Sequence, residues 1–334
     1  MSIQTVLGPI SKHDVGLTLM HEHIFMDLRQ KFVNTTLRQS DEPVSKDNVA
    51  LLRKNHRALK DNLFLNDEVT ALAEIREFKR NGGATIVSMS NRGMGQDPEA
   101  LRRISRELGI NIVECTGYYT DATHPEYMWE DSPERMADRF IRDIEEGIDD
   151  TGVRAGIIGE IGTSAVITER EWRVLRAACI AQRATGAAVS IHIDPWVMNG
   201  LEVLEYMEKN GGNVERIVID HVDAVIDLDY CRKLIGRGAL IEFDNFGKCY
   251  ETPGLHFDTD EQRVEAIRQL VSEGWEKHIL ISTDICLKTD LYAYGGGGYG
   301  HIPRTVIPMM RAHGIPQEAI AAMTVSNPER VLDR

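Results

Sequence analysis

Residues 17–23 read Leu-Thr-Leu-Met-His-Glu-His, a short apolar run that ends in two histidines one residue apart. Similar apolar runs recur along the chain, and most of them precede a stretch with helical periodicity and charge pairs. We count eight such runs: Leu17 to Met20, Ala84 to Met89, Asn111 to Thr116, Ala155 to Ile158, Ala188 to Ile191, Ile217 to Ile219, Leu240 to Phe243 and Ile279 to Ile281. Eight strands that alternate with helices can close a parallel barrel, so we predict an α/β fold of the (β/α)8 TIM barrel class.

The segments between these runs carry helix signals, because most of them open on a residue whose side chain can cap a helix. The predicted helices span Asp67 to Asn81, Asp97 to Leu108, Pro133 to Ile148, Glu169 to Thr185 and Thr259 to Glu273. Residues 30–66 fit no barrel period, and we expect an insert after strand 1 that forms a lid or a packing helix. Barrels of this length commonly form one unit, so residues 1–334 are predicted to be a single domain.

Charge and composition narrow the class of partner. The chain has 52 acidic and 38 basic residues and a formal net charge of −14, which would repel nucleic acid. The sequence contains neither an apolar run long enough to span a membrane nor the basic and apolar segments of a signal peptide at its N-terminus. Five cysteines without a Cys-x-x-Cys pair suggest neither a disulfide framework nor a thiolate zinc site. We expect them to be buried side chains of a protein in a reducing compartment. We therefore expect a cytoplasmic protein that acts on a small molecule.

The two histidines at the end of the first run are weak evidence when taken alone. With 11 histidines in 334 residues, chance would supply a His-x-His pair in roughly one such sequence in three. Alternate residues of a strand point to the same side, so His21 and His23 could face one metal ion. An equally good interpretation is that both histidines have a structural role at the strand end, where their hydrogen-bonding groups are paired within the protein.

Four further residues change that balance, because each one follows a different predicted strand. Glu160, His192, His221 and Asp284 come after the fourth, fifth, sixth and eighth runs. Parallel barrels build their active sites at this end of the strands. Imidazole and carboxylate oxygen are ligands for Zn²⁺, Mn²⁺ and Co²⁺, and six such groups suffice for two ions that share a bridge. The combination predicts a binuclear metal site rather than six unrelated structural residues.

Several longer motifs resemble one known family. These motifs are Val6-Leu-Gly-Pro9, Leu19-Met-His-Glu-His23, Thr116-Gly-Tyr-Tyr119, Gly156-Ile-Ile-Gly-Glu-Ile-Gly162, Ser282-Thr-Asp284 and Gly297-Gly-Tyr-Gly-His301, together with the strands that precede His192 and His221. They resemble the phosphotriesterase family of the amidohydrolase superfamily nearly from end to end. The resemblance implies that His21, His23 and Asp284 hold the more buried metal ion and that His192 and His221 hold the more exposed one.

The bridge between the two ions departs from the better-known family members, which use a carboxylated lysine on strand four. No lysine occurs between residues 151 and 171, and Glu160 is the carboxylate in that place. A glutamate at this place resembles the phosphotriesterase-related branch, sometimes labelled resiniferatoxin-binding. The similarity to that branch extends through Thr120 to His124, Ala155 to Gly162 and Ala293 to Gly296.

The resemblance implies a hydrolase in which two metal ions share a hydroxide that attacks the substrate. Asp284 would accept the proton and pass it to the leaving group. Related branches with a glutamate bridge favour a carboxylic ester, lactone or N-acyl amide as the substrate. A phosphotriesterase, a mononuclear deaminase-like enzyme and a non-catalytic small-molecule-binding barrel are the alternatives. Zinc fits the ligands best, with manganese or cobalt as other options.

The loops after the strands supply candidates for substrate binding: Tyr118, Tyr119, Lys248, Lys288, Tyr294 and His301. The two lysines could attract a carboxylate, sulfonate or phosphate group of the substrate. Cys286 and Leu287 stand where a sugar-phosphate lactonase would have basic residues, which favours an N-acyl amide or an uncharged lactone. Family members are often dimers, which makes a homodimer one option for the assembly.

Overall fold

The computed structural model describes residues 2–30, 39–248, 251–252 and 255–334. Eight parallel strands form one sheet, and helices cover its outer face. These strands are β3 (Leu17–Glu22), β6 (Gly83–Ser88), β7 (Asn111–Thr116), β8 (Ile157–Gly162), β9 (Val189–His192), β10 (Ile217–Ile219), β11 (Leu240–Phe243) and β14 (Ile279–Ile281). Their order in the sheet is β14-β11-β10-β9-β8-β7-β6-β3. The predicted (β/α)8 TIM barrel is confirmed.

The remaining strands form short antiparallel pairs at the periphery. They are β1 (Ser2–Thr5), β2 (Gly8–Ser11), β4 (Met26–Asp27), β5 (Phe64–Leu65), β12 (Glu251–Thr252) and β13 (Leu255–His256). The helices are α1 (Val49–Lys54), α2 (Glu68–Arg80), α3 (Pro98–Leu108), α4 (Pro133–Glu145), α5 (Glu169–Thr185), α6 (Gly200–Lys209), α7 (Leu228–Gly236), α8 (Asp260–Ser272), α9 (Ile307–Ala312), α10 (Gln317–Ala321) and α11 (Asn327–Leu332). Within the described ranges, no helix is both long and apolar enough to cross a membrane.

Local sequence explains where the helices begin and end. Helix α5 begins after a capping box in which Thr168 and Glu171 bond to each other's backbone N–H, and it ends at Gly186 with φ +72°. Helix α4 is shorter than predicted, because the chain turns at Gly147 with φ +138°. A Cβ atom at Gly147 would lie 2.7 Å from Gly152, so only glycine fits this close approach.

The insert after the first barrel strand packs against the barrel through a small core of its own. The side chains of Val44, Leu52 and Leu59 are buried together, and Tyr294 from the loop after β14 packs against them. Strand β5 at the end of the insert pairs with β4, which follows the first barrel strand. Residues 31–38 of the predicted insert lie outside the described residues.

The seam between the first and last barrel strands is held largely by side chains. The Glu22 carboxylate accepts hydrogen bonds from Ser282 Oγ at 2.7 Å, from the backbone N–H groups of Thr283 and Ile285 and from the Thr283 hydroxyl. The backbone adds bonds from Asp284 N to His21 O and from His23 N to Ile285 O. Glu22 therefore faces the seam, as expected from its position between two residues that face the barrel mouth.

Ser282 tests how much this seam contributes to stability. Its hydroxyl accepts a hydrogen bond from His21 N at 3.0 Å and donates to Glu22, so Ser282→Ala leaves two buried polar groups short of a partner. We expect the free energy of unfolding to fall by about 1–3 kcal/mol, measured by urea denaturation. The control is Ser272→Ala, whose hydroxyl is exposed on α8 and for which we expect a change within about 0.5 kcal/mol. Equal effects of the two substitutions would contradict a stabilising role of the seam.

Candidate metal centre

Six side chains of the predicted metal site converge at the carboxyl ends of the barrel strands. His21 lies in β3, Glu160 lies in β8 and His192 is the last residue of β9. His23, His221 and Asp284 lie one, two and three residues beyond their strands. Glu160 and His192 are thus within their strands rather than past them, because β8 and β9 extend further than their apolar runs. None of the six is more than 8% exposed.

Glu160 occupies the centre of this cluster. Its Oε1 atom lies 2.8 Å from His192 Nδ1, 3.1 Å from His221 Nε2 and 3.6 Å from His21 Nε2. Its Oε2 atom lies 3.7 Å from His23 Nε2. One carboxylate therefore faces all four imidazoles, which is the arrangement that a bridging ligand requires.

Asp284 completes the cluster on the side of the first strand. Its Oδ1 atom lies 3.2 Å from His23 Nε2 and 3.9 Å from His21 Nε2. Its Oδ2 atom is in contact with the ammonium group of Lys248, whose side chain is also buried. Asp284 therefore lies between two imidazoles and one cation from the loop after β11.

The donor atoms fit divalent metal ions. His21, His23 and Asp284 place one ligand atom each within 4.8 Å of one another, and His21, Glu160 and His221 do the same. The Nε2 atom of His21 is buried and has no hydrogen-bond partner among the described residues, which is costly unless another group binds it. The facing atoms His221 Nε2 and His192 Nδ1 lie 2.8 Å apart. Nitrogen and carboxylate oxygen are the ligand types that zinc, manganese and cobalt accept.

The electrostatic environment favours positive charge between these groups. Burial by itself would raise the pKa of Glu160, but the adjacent His21 and His192 hold that pKa well below its ordinary range. Burial would lower the pKa of His21, yet Glu160 and Asp220 raise it well above its ordinary range. The same negative field that favours a proton on the imidazole also favours a cation between the ligands.

Three polar residues that sequence reasoning missed support the ligands from behind. Asp244 Oδ1 lies 2.9 Å from His221 Nδ1, Ser90 Oγ lies 3.0 Å from His23 Nδ1, and Asp220 Oδ2 lies 3.5 Å from His21 Nδ1. Such partners fix the orientation of a metal-binding histidine and the nitrogen that it presents. Asp220 and Asp244 directly follow β10 and β11, so their position after a strand was the available signal.

Two of the proposed ligands adopt a strained backbone conformation. His221 has φ +60° and Asp284 has φ +43°, a region in which residues other than glycine are uncommon. Each such residue costs on the order of 1–3 kcal/mol and persists where the surrounding structure enforces it. The strain is located where the chain turns a ligand toward the barrel axis.

Two of the predicted substrate-binding residues border this cluster. The Tyr119 hydroxyl lies 3.3 Å from both ring nitrogens of His192, and Lys248 contacts Asp284. The Lys248 Nζ atom also lies 3.5 Å from Cys286 Sγ. Cys286 is partly exposed, unlike the buried Cys115, Cys179 and Cys231, whereas Cys249 lies outside the described residues.

The described contacts of the other four candidates lie further from the ligands. Tyr118 accepts a hydrogen bond from Arg139 and packs against Phe140, so it belongs to the core. Lys288 Nζ pairs with Asp61 Oδ1 at 2.6 Å, and His301 Nε2 lies 2.6 Å from Asp260 Oδ2. Tyr294 packs against the core of the insert.

Comparisons with known proteins identify a family model and several relatives to which the whole chain is similar. The phosphotriesterase family model matches residues 1–332. The N-acetyltaurine hydrolase of Dictyostelium discoideum is 34% identical over 359 aligned positions, which cover 99% of this chain and 97% of the relative. A resiniferatoxin-binding protein from Rhodobacter sphaeroides is 35% identical with a TM-score of 0.95, and the match covers 99% of this chain and 95% of that one. A lactonase from Listeria monocytogenes is 25% identical with a TM-score of 0.82 over 99% of both chains.

The central carboxylate provides a test of the metal site. We expect wild-type protein produced with added zinc to contain about two metal ions per chain. Glu160→Gln removes the charge that faces all four imidazoles, so metal content should fall to one ion or fewer, measured by elemental analysis. The control is Glu114→Gln, because Glu114 is equally buried but bonds to the backbone of Cys115 on β7. Equal metal content in wild type and Glu160→Gln would contradict the bridge.

Proposed function

The chain belongs to the phosphotriesterase family, and on that premise we propose that it is a metal-dependent hydrolase of N-acyl amides whose amine carries an anionic group. The observation that supports this most directly is Glu160, which faces four imidazoles from three other strands and would bridge two metal ions held by them. Residues 1–334 act as one catalytic domain. Zinc is the metal best suited to this mixed set of nitrogen and oxygen ligands.

The choice of an amide over a lactone follows from the similarity of the whole chain. The N-acetyltaurine hydrolases of Dictyostelium discoideum and Homo sapiens are each 34% identical over 99% of the chain, whereas the lactonase is 25% identical. Taurine carries a sulfonate, so a related substrate would place one negative charge near the metal centre. Lys248 provides a positive charge at that place.

The metal ions, when bound, would polarise the substrate carbonyl and lower the pKa of a water molecule at the centre. Asp284 is placed to hold the proton released by that water, because its Oδ1 atom faces His23 and His21. Hydrolysis of an amide also requires a proton on the leaving nitrogen, and Asp284 at the mouth of the barrel would deliver it. The Tyr119 hydroxyl beside His192 would orient the acyl group from the opposite side.

Lys248 is the proposed recognition residue for the anionic end of the substrate. Its side chain is 4% exposed and lies between Asp284 Oδ2 and Cys286 Sγ. A buried ammonium group needs negative partners, and a sulfonate or carboxylate would be a second one beside Asp284. A net charge of −14 would otherwise repel such a substrate.

A non-catalytic binding barrel is the second candidate, and the name of the Rhodobacter sphaeroides neighbour raises it. Four imidazoles converge around the Glu160 carboxylate, and Asp284 faces two of them, which argues for a working metal site.

We further propose a cytoplasmic location from the cysteine content. Exposed Tyr127 and Trp129 after β7 offer apolar surface for a homodimer.

Substrate turnover distinguishes these functions. We expect the zinc-loaded protein to hydrolyse N-acetyltaurine with a higher kcat/KM than γ-butyrolactone or paraoxon, measured by the release of free amine or acid. Preferential turnover of a lactone would identify the other reaction of the family. Binding of N-acetyltaurine without turnover of any of the three compounds would favour the binding barrel.

The proton-transfer role of Asp284 predicts a separation of rate from metal content. Asp284→Asn keeps the size of a ligand but cannot hold the proton, so kcat should fall by about 10²- to 10⁴-fold. Bound zinc, measured on the same sample, should fall far less than in Glu160→Gln. An equal loss of metal and rate in Asp284→Asn would contradict a separate role in proton transfer.

The proposed role of Lys248 predicts a charge-dependent defect. Lys248→Met should lower kcat/KM for N-acetyltaurine by about 10-fold or more, because one charged contact contributes about 1.5–3 kcal/mol. The uncharged analogue N-acetylpropylamine should be affected much less. Lys288→Met is the matched control, because Lys288 pairs with Asp61 rather than with a proposed ligand. An equal defect on both substrates would exclude recognition of the anionic group by Lys248.

A further inference from the structure

Arg263 is a fully buried arginine on α8, behind the metal centre. Its Nε atom donates to Asp223 Oδ2 at 2.8 Å, and its Nη1 atom donates to Asp260 Oδ1 at 3.2 Å. The side chain is 0% exposed. A buried guanidinium is costly unless its partners compensate for the lost water, and Asp223 and Asp260 are the carboxylates that provide this compensation.

One path of hydrogen bonds leads from Arg263 to a proposed metal ligand. Asp223 accepts bonds from Asn245 N at 3.0 Å and from Asn245 Nδ2 at 2.7 Å. Asn245 Nδ2 also donates to Asp244 Oδ1 at 2.8 Å, and that same oxygen lies 2.9 Å from His221 Nδ1. Every side chain on this path is buried, so water does not compete for these bonds.

A second path leads from Arg263 to the loops that border the mouth of the barrel. Asp260 Oδ1 accepts a bond from Gly247 N at 2.9 Å, and Gly247 immediately precedes Lys248. Asp260 Oδ2 lies 2.6 Å from His301 Nε2, in the loop after β14. Arg263 therefore contacts both the residue that leads to the metal ligand and the residue that holds the two loops.

We propose that Arg263 is a positioning residue with two effects. It orients His221 through the path of Asp223, Asn245 and Asp244. Through Asp260 it also holds the loop that carries Lys248 in place relative to His221. This inference rests on the proposed metal site. With His221 Nδ1 held by Asp244, the Nε2 atom faces Glu160 and the more exposed metal position. Partners of this kind typically change metal affinity by about 10- to 100-fold.

The protein contains a matched pair that can separate positioning from general stability. Arg92 and Asp143 form another largely buried ion pair, with side-chain exposures of 9% and 2%. Their described contacts are to Asp149 and Thr116, away from the proposed metal ligands. Loss of either ion pair should lower the melting temperature, but only loss of Arg263 or Asp223 should disturb His221.

The test compares Arg263→Met and Asp223→Asn with Arg92→Met and Asp143→Asn. Each protein is dialysed against a series of free zinc concentrations, and bound zinc is measured by elemental analysis. We expect about 10- to 100-fold weaker binding of the second zinc ion in Arg263→Met and Asp223→Asn. The two control variants should bind it with wild-type affinity. Asp223→Asn preserves side-chain volume and decides the result if Arg263→Met does not fold.

The outcomes separate this inference from the proposed function. Wild-type binding of the second zinc ion by Arg263→Met and Asp223→Asn would overturn the positioning role and leave the metal site intact. Fewer than two zinc ions in wild-type protein would overturn the proposed metal site itself. A third variant, Asp260→Asn, tests the path to the loops: it should raise the KM for N-acetyltaurine several-fold while both zinc ions remain bound. An unchanged KM would overturn that part of the proposal.

Discussion

The closure of the barrel between its first and last strands determines the geometry of the metal centre. Glu22 receives its hydrogen bonds from residues 282–285, and the same short segments carry His21, His23 and Asp284. A strand alternates its side chains between two faces, so a residue that closes the seam lies between two that face the mouth. Three of the six proposed ligands are therefore placed by the contact that completes the fold.

Charge balance is the second constraint on this interior. The lower barrel layer is apolar, with Ala188, Val218, Leu240 and Leu280, but the layer beneath the imidazoles contains Ser190, Asp220, Glu242 and Ser282. Buried carboxylates are tolerated where donors or cations compensate for the lost water. Ser190 donates to Asp220, and His221 and Asn245 donate to Asp244. These donors stabilise Asp220 and Asp244, whereas neither oxygen of the buried Glu242 carboxylate has a hydrogen-bond partner among the described residues.

Sequence reasoning identified features that are local in the chain. Strands such as Asn111–Thr116 and Leu240–Phe243 match their apolar runs at both ends, because β-branched residues and flanking turns define them. The ligand candidates emerged because each of them follows an apolar run in the sequence, within or just beyond the end of a barrel strand. The position of Asp244 after a strand was a signal, but the partners of Asp244 and Arg263 could not be predicted, since they are distant in the chain. Tyr118 was predicted to bind substrate, as was its neighbour Tyr119, but its side chain packs against Phe140 in the core instead of facing the mouth of the barrel.

The insert has a consequence for how this architecture can diversify. Residues 39–66 pack against Tyr294 in the loop after β14, whereas the proposed ligands come from the strand ends. The insert and this loop can therefore gain, lose or exchange residues while the strand ends that carry the proposed ligands keep their geometry. A lineage could acquire new substrates through changes in the insert and the loop after β14 alone. Homologues with different substrate specificities would then share the same histidines and carboxylates at the strand ends.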